Sequence, residues 1–485
     1  MQLNPALLKL YKTPILLALL SCLLYIAFAY NLERTDYLKL VSLYTGLFGI
    51  FYWLIKRYAE NFKLLTYISF IFRVLLILAI PNLSQDFYRF IWDGRMILEG
   101  LNPYLYTVES FIVKGELPVT YAQELYAGMG KLNAGHYTNY PPVNQLCFVL
   151  ANLMPGQSIL SSVIGLRLII IAADFGTFYF GKKLLQSLKL PVYSIFWYIL
   201  NPFIIIELTG NLHFEGVMIF FLIWSLYLLQ KGKWQWSAVV LALSISTKLI
   251  PLIFLPLVFQ LFIKNNVITD VVKQPISEEE IATSQASRID EKWIPAFAGM
   301  TRLIGFYGIV GGVTLLLFAP FFSMQFISNY AETVGLWFKN FEFNASLYYI
   351  ARAVGYTFRG YNEIAVIGKV IPLLVVLFVL ILTFFRDNKT LPQLITAMLL
   401  ALSFYYFTAT TVHPWYVATL LILSIFTNYK FPLVWSFVII LSYLAYMQIG
   451  NANKSENLII IALEYTVVYG VFFYDLFKKK SHLNA

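Results

Sequence analysis

Leu64-Leu-Thr-Tyr-Ile-Ser-Phe-Ile-Phe-Arg73-Val-Leu-Leu-Ile-Leu-Ala-Ile80 is followed, after Pro81, by Asp86-Phe-Tyr-Arg89-Phe-Ile-Trp-Asp93-Gly94. The first stretch is apolar over nearly the length of a bilayer crossing. The second is acidic and amphipathic. As a helix it places Asp86, Arg89 and Asp93, spaced i, i+3 and i+7, on one face, with Phe87, Phe90, Ile91 and Met96 over much of the rest. Gly100, Asn102 and Pro103 end that helix. Two carboxylates and a guanidinium beside a membrane span point to chemistry on a lipid-linked polar substrate.

The rest of the chain repeats the apolar theme. It is 59% hydrophobic and 12% charged, with a mean hydropathy of +0.71, which excludes an ordinary soluble enzyme. The fold class is an all-α polytopic membrane protein. Spans are predicted at 14–30, 39–55, 64–80, 162–182, 191–208, 216–230, 235–247, 249–263, 304–322, 363–385, 391–410, 414–427, 431–449 and 457–476. Several are shorter than a full crossing requires, and 235–263, broken by Lys248 and Pro251, also reads as one bent element, so the expected count is 12 to 14. With Lys9 and Lys12 inside, Lys56-Arg57, Lys182-Lys183, Lys231, Lys233, Lys264, Arg302, Arg386, Lys389, Lys430 and Lys478-Lys479-Lys480 also fall inside. The net charge of +10 thus reports membrane orientation rather than nucleic-acid binding. Two cysteines, Cys22 and Cys147, give no disulfide framework.

This orientation makes one membrane domain of residues 1–485 with two long outer loops. Loop 81–161 carries the acidic motif, a polar stretch at 107–136, Tyr140-Pro141-Pro142, and an apolar segment to Met154 suited to an interfacial or re-entrant helix. Loop 323–362 holds Trp337, Phe338, Phe341, Phe343 and Tyr348-Tyr349 and reads as an aromatic amphipathic interfacial element. The cytoplasmic stretch 265–303 interrupts the membrane pattern. Its Trp293–Thr301 segment is similar to the translated palindromic repeats of some bacterial genomes, so it is expected to be a non-catalytic insertion.

Asp86, Arg89, Asp93, His213, Glu215, Lys248 and His413 come from four separate loops of the same face. One active site fed by several loops accounts for this most simply. For each histidine the plain alternative is a solvated interface residue. Arg73, Arg167, Asp174, Glu207 and Glu464 lie inside predicted spans, where unpaired charge costs roughly 2.5–3.5 kcal/mol or more. Pairing of Arg73 or Arg167 with Asp174 is therefore expected, in a structural role. No nucleotide or metal motif occurs, so no cofactor and no metal are expected. A transporter or flippase for a lipid-linked or polar solute is the rival class. It would gather its charges near the bilayer midplane rather than at one face.

The ordered motifs resemble the GT-C superfamily of membrane glycosyltransferases, most closely its polyprenyl-phosphate-mannose-dependent mannosyltransferases. These include the catalytic subunit of the first GPI mannosyltransferase and the bacterial phosphatidylinositol-mannoside mannosyltransferases. The likeness lies in Asp86–Gly94 with Gly100-Leu-Asn-Pro-Tyr104, then Tyr140-Pro-Pro142, Asn211-Leu-His-Phe-Glu-Gly216, Thr247-Lys-Leu-Ile-Pro251, Phe343-Asn-Ala-Ser-Leu-Tyr348 and His413-Pro-Trp-Tyr416. Two spans precede the acidic loop's own helix, where many relatives have one, and the cytoplasmic insertion is a second departure. The resemblance implies an inverting hexosyltransferase, most simply a mannosyltransferase, with a polyprenyl-phosphate sugar donor and a lipid or glycan acceptor. It implies Asp86 as general base. Arg89, Asp93, Tyr140, His213, Glu215, Lys248, Arg352, His413, Trp415 and Tyr416 are then expected to bind substrate, Lys248 and the histidines supplying positive charge to the leaving phosphate. Trp337, Phe338 and Tyr416 are expected along the groove. The implied setting is a bacterial inner membrane with the site facing the periplasm.

Overall fold

The computed structural model describes residues 5–263, 293–339, 341–447 and 456–481. Residues 265–292 of the predicted insertion, Lys264 and most of the predicted outer loop 450–456 lie outside the described residues, as do the side chains of Trp337 and Phe338. The palindromic-repeat-like stretch opens the helix Trp293–Phe318.

The protein is an all-helical polytopic membrane protein. Among the described residues, seven helices are long and apolar enough to cross a bilayer: Lys12–Asn31, Tyr37–Tyr58, Ile159–Ser187, Ala298–Phe321, Ile364–Phe385, Leu391–Thr408 and Leu458–Lys478. The predicted span 191–208 is a pair, Val192–Ile199 and Pro202–Gly210, bent by 49°. The predicted spans at 216–230, 235–247, 249–263, 414–427 and 431–449 correspond to the shorter apolar helices Glu215–Gln230, Trp234–Ile245, Ile250–Ile263, Pro414–Ser424 and Phe431–Leu444. The predicted span 64–80 holds a 13-residue helix, Phe62–Val74. Short helices survive at membrane depth because protein rather than lipid surrounds them. Serines glue one such pair: the Ser225 and Ser237 hydroxyls each donate to the other residue's carbonyl, at 2.8 and 2.9 Å.

The charged residues read from the sequence as lying inside spans, Arg73, Arg167, Asp174, Glu207 and Glu464, each have a polar partner. Arg73 Nε donates to Asp174 Oδ2 at 2.7 Å, with both side chains fully buried. Arg167 makes no such pair. Its guanidinium donates to the carbonyls of Ile77, Thr209 and Gly210 at 2.8, 2.8 and 2.9 Å. Two of these carbonyls end the π-helical turn Ile205–Gly210, so the cation also faces the negative end of a helix dipole. Glu464 accepts from Trp435 Nε1 at 2.9 Å and Asn344 Nδ2 at 3.2 Å.

Loop 81–161 folds back as four helices, Asp86–Leu98, Val108–Val113, Ala122–Ala134 and Pro142–Asn152. The first ends as read from the sequence. Gly100 adopts φ +74°, and the Leu101 amide donates to the Met96 carbonyl at 2.8 Å, closing a Schellman turn. The first and last of these helices touch at Gly94, where an added Cβ would lie 2.5 Å from the Phe148 carbonyl oxygen and from Asn152 Nδ2. Phe90 and Phe148 stack at 4.6 Å beside this contact. Pro142–Asn152 buries Asn144, Gln145 and Asn152 while exposing Leu146 and Leu150. Polar-in and apolar-out is the polarity of a helix facing lipid.

Loop 323–362 forms the helices Met324–Lys339 and Leu347–Arg359. The second exposes Leu347, Ile350, Val354 and Phe358 along one stripe, the expected interfacial character. Between them Phe343 bonds the 410–412 backbone, donating to the Thr410 carbonyl and accepting from the Val412 amide at 3.0 and 2.9 Å.

Two substitutions test this scaffold. Arg167→Leu leaves three buried carbonyls without a donor, at roughly 1–3 kcal/mol each, and is expected to lower the thermal midpoint in detergent sharply. Gly94→Ala forces two helix backbones apart. It is expected to lower the midpoint, whereas Gly49→Ala, with open space around it, leaves it unchanged.

Candidate active site

The ends of these elements on one side of the helices enclose a cavity of about 310 Å³, at the small end of ligand-site volumes, roughly 300–1,000 Å³. Asp86, Arg89, Tyr140, Lys248, His413, Trp415 and Tyr416 line it together. Residues from loops more than 300 positions apart thus share one chamber, as the one-sided distribution of polar residues implied.

Asp86 opens its helix, where the positive dipole end favours a carboxylate. Its amide donates to Ser84 Oγ at 3.3 Å. Among the described residues it is the single carboxylate lining the cavity. The chamber leaves the side chain partly exposed, yet protein crowds it closely enough that burial raises its pKa to about 6. Lys248 and Arg34 oppose that rise and Glu215 adds to it. A carboxylate in this range is ionised at neutral pH and is still a competent proton acceptor.

Two of the neighbouring cations, Arg89 and Lys248, are held from behind. Arg89 Nε donates to Asp93 Oδ1 at 2.8 Å, and Nη1 to the carbonyls of Asn133 and His136 at 2.8 and 3.1 Å. Asp93 also accepts from Gln145 Nε2 at 3.1 Å. It is fully buried and sits behind Arg89 rather than in the chamber wall. Lys248, at the outer turn between Trp234–Ile245 and Ile250–Ile263, places Nζ 3.0 Å from Glu215 Oε1, the carboxylate fully buried and the lysine 21% exposed. The ammonium also lies 5.4 Å from the centroid of the Tyr140 ring. Glu215 therefore backs Lys248, as Asp93 backs Arg89, and neither is placed to touch a sugar hydroxyl in the chamber.

The histidines form an aromatic stack. Trp415 lies between His213, with ring centroids 3.6 Å apart, and His413, at 4.6 Å. Phe343 continues the stack at 5.3 Å from His413. His213 is held outside the chamber, its Nε2 3.8 Å from Glu207 Oε2. Burial, then Lys248 and Arg34, lower His413 to about 3. Burial, Lys248 and His413 push His213 well below its ordinary value. Both rings are neutral at physiological pH, so the expected supply of positive charge from them gives way to a packing role in the stack. Positive charge at this end of the chamber comes from Lys248, Arg89 and Arg34. Arg352 lies outside the chamber, paired with Glu342 and stacked 4.4 Å from the centre of the Tyr349 ring. There it anchors the segment that carries Phe341 and Phe343 to the wall.

The sequence reading did not single out Arg34, Ser84, Gln85, Asn133, Thr138, Asn139, Tyr443 and Tyr446, which also line the chamber. One of them carried a usable signal. Arg34 is a cation on a loop that the sequence reading assigns to the outer face, against the inside bias, the same anomaly that drew attention to Lys248.

The family model for the MptA_B family, described as alpha-(1->6)-mannopyranosyltransferase, N-terminal domain, matches residues 20–264, just over half of the 485 residues. The match spans Asp86, Arg89, Asp93, Tyr140, His213, Glu215 and Lys248 and ends before Arg352, His413, Trp415 and Tyr416. No curated protein matches the chain. A helical membrane scaffold, a chamber with one carboxylate among cations, and a match over the half that builds most of that chamber agree: the chain belongs to the MptA_B family of alpha-(1->6)-mannopyranosyltransferases and is a multi-pass membrane glycosyltransferase.

Proposed function

We propose that the protein transfers a mannosyl residue from a polyprenyl-phosphate donor to a lipid or glycan acceptor at the outer, periplasmic face of a bacterial inner membrane. Asp86 is the general base. The observation that carries this reading is the pairing of a lone chamber carboxylate, with a pKa near 6, with cations lining the same small space. A sugar phosphate fits that charge pattern. Its long apolar tail fits a chamber ringed by membrane spans and interfacial helices.

In the reaction the acceptor hydroxyl attacks the anomeric carbon. Its oxygen forms the new glycosidic bond while the bond from that carbon to the phosphate oxygen breaks. The bonding pair leaves with the polyprenyl phosphate, and the hydroxyl proton passes to an Asp86 carboxylate oxygen. A phosphate leaves as a stable anion and needs no general acid. It needs opposing charge, which Lys248 and the outward side of the Arg89 guanidinium supply. A single carboxylate supports direct displacement, hence inversion, rather than a covalent sugar–enzyme intermediate made by a second carboxylate. Tyr140, Trp415 and Tyr416 shape the chamber around the sugar. Residues 265–292 take no part in this scheme.

The first test is transfer of radiolabelled mannose from polyprenyl-phosphate mannose in membranes containing wild type or Asp86→Ala at equal levels. Asp86→Ala is expected to lower kcat by roughly 10²–10⁴-fold, and equal transfer in both would remove Asp86 from the role of base. A base must be ionised, so kcat/KM is expected to fall as pH drops through about 6. An ordinary histidine titrates in that window too, but His413 and His213 are held below it. His413→Gln is therefore expected to keep the acidic limb in place, and Asp86→Glu to move it. Lys248→Gln is expected to raise KM for the donor and lower kcat together, since its charge acts on ground state and leaving group alike.

A further inference from the structure

The three chamber-lining cations are not equivalent. Lys248 is offset by Glu215 at 3.0 Å and Arg89 by Asp93 at 2.8 Å. Arg34 makes no ion pair among the described residues. Its guanidinium carbon lies 5.6 Å from the centroid of the Tyr443 ring. That ring is fixed, because its hydroxyl donates to both oxygens of Glu207, at 2.8 and 3.0 Å. Arg34 therefore rests on a rigid aromatic platform, solvent-accessible and with its fork of donors uncommitted among the described residues.

The loop that carries it is also fixed. Lys39 Nζ donates to the Asn31 carbonyl and to Asn31 Oδ1 at 2.5 Å, and Asp36 caps the next helix through the Lys39 amide at 3.2 Å. Asp36 is thereby used locally. The short turn joins the candidate spans Lys12–Asn31 and Tyr37–Tyr58, so Arg34 stands at the end of two apolar helices while lining the chamber. A planar guanidinium recognises phosphate through paired hydrogen bonds, which a lysine ammonium cannot reproduce.

From this geometry we infer that Arg34 is the phosphate ligand of the lipid-linked donor and of the polyprenyl phosphate left after transfer. The inference rests on the donor reading above and assigns it a residue. An entering phosphate adds a counter-charge to Arg34, whereas at Lys248 and Arg89 it shares cations that carboxylates already hold. Arg34 then clamps the head of the donor in the chamber that Lys248 also lines.

The test is direct binding of farnesyl phosphate, with farnesol as the phosphate-free control, to the full-length protein in nanodiscs. Wild type, Arg34→Gln and Arg34→Lys are compared, and thermal midpoints verify equal folding. Loss of a charge-assisted contact is expected to raise the Kd of Arg34→Gln for farnesyl phosphate by roughly 10- to 100-fold. Arg34→Lys, retaining the charge without the fork, is expected to weaken it less, and farnesol to bind all three alike. Equal farnesyl phosphate affinity in wild type and Arg34→Gln would overturn the assignment and leave the donor reading standing. Parallel loss of both compounds would overturn it too, by placing the effect at the tail. Absence of farnesyl phosphate binding to wild type would instead bring down the donor reading and this inference together.

Discussion

Three backbone carbonyls converge on the Arg167 guanidinium, and the placement of the active chamber follows from that convergence. Ile77 belongs to the segment leading to Asp86, while Thr209 and Gly210 end the helix that leads to His213 and Glu215. In lipid a broken helix end has no water to satisfy it, so an interruption persists only where protein supplies the missing donors. Arg167 supplies three at once. It lets the chain stop a helix at Gly210, pass through Leu212 at φ +63°, and restart at Glu215 beneath the chamber. Asn211 completes the link by accepting from the Leu83 amide at 3.2 Å.

Charge is layered in the same economical way. The deepest pair, Arg73 with Asp174, is structural and faces no cavity. The next layer consists of carboxylates that back chamber cations: Asp93 behind Arg89 and Glu215 behind Lys248. Such backing orients a long flexible side chain and offsets part of the cost of burying it. It also leaves Asp86 as the carboxylate facing the chamber, in surroundings crowded enough to raise its proton affinity. Trp415 and His413 line the chamber with His213 stacked behind Trp415, and both imidazoles are held neutral, so the polarity of that wall does not change across the physiological pH range.

Much of this was legible in the chain. Hydropathy fixes membrane crossings wherever a helix meets lipid along its length, as Ile364–Phe385 does. It misjudges length where protein intervenes, because a helix such as Trp234–Ile245 is apolar for packing rather than for crossing. The helix Asp86–Leu98 and its stop at Gly100 were readable because local rules, side-chain period and a left-handed glycine turn, determine both. The gathering of Asp86, Lys248 and His413 was readable through the charge asymmetry of the loops. Which charged groups face the chamber was not. Asp93 and Asp86 share one helix face seven residues apart, and only the helix Pro142–Asn152, packed against Gly94, encloses the first and leaves the second open.

The amino-acid sequence by itself determined an all-helical membrane protein, its orientation bias, the amphipathic helices of the two long outer loops and the face on which polar residues collect. These properties depend on local periodicity and on transfer free energies summed over neighbours in the chain. The tertiary structure alone decided that Asp86 faces the chamber among cations while Asp93 and Glu215 stand behind them. It alone decided that both histidines are neutral and that Arg34 completes the wall. Burial and charge compensation are set by residues far apart in sequence, and desolvation has no magnitude until those residues are packed around a group.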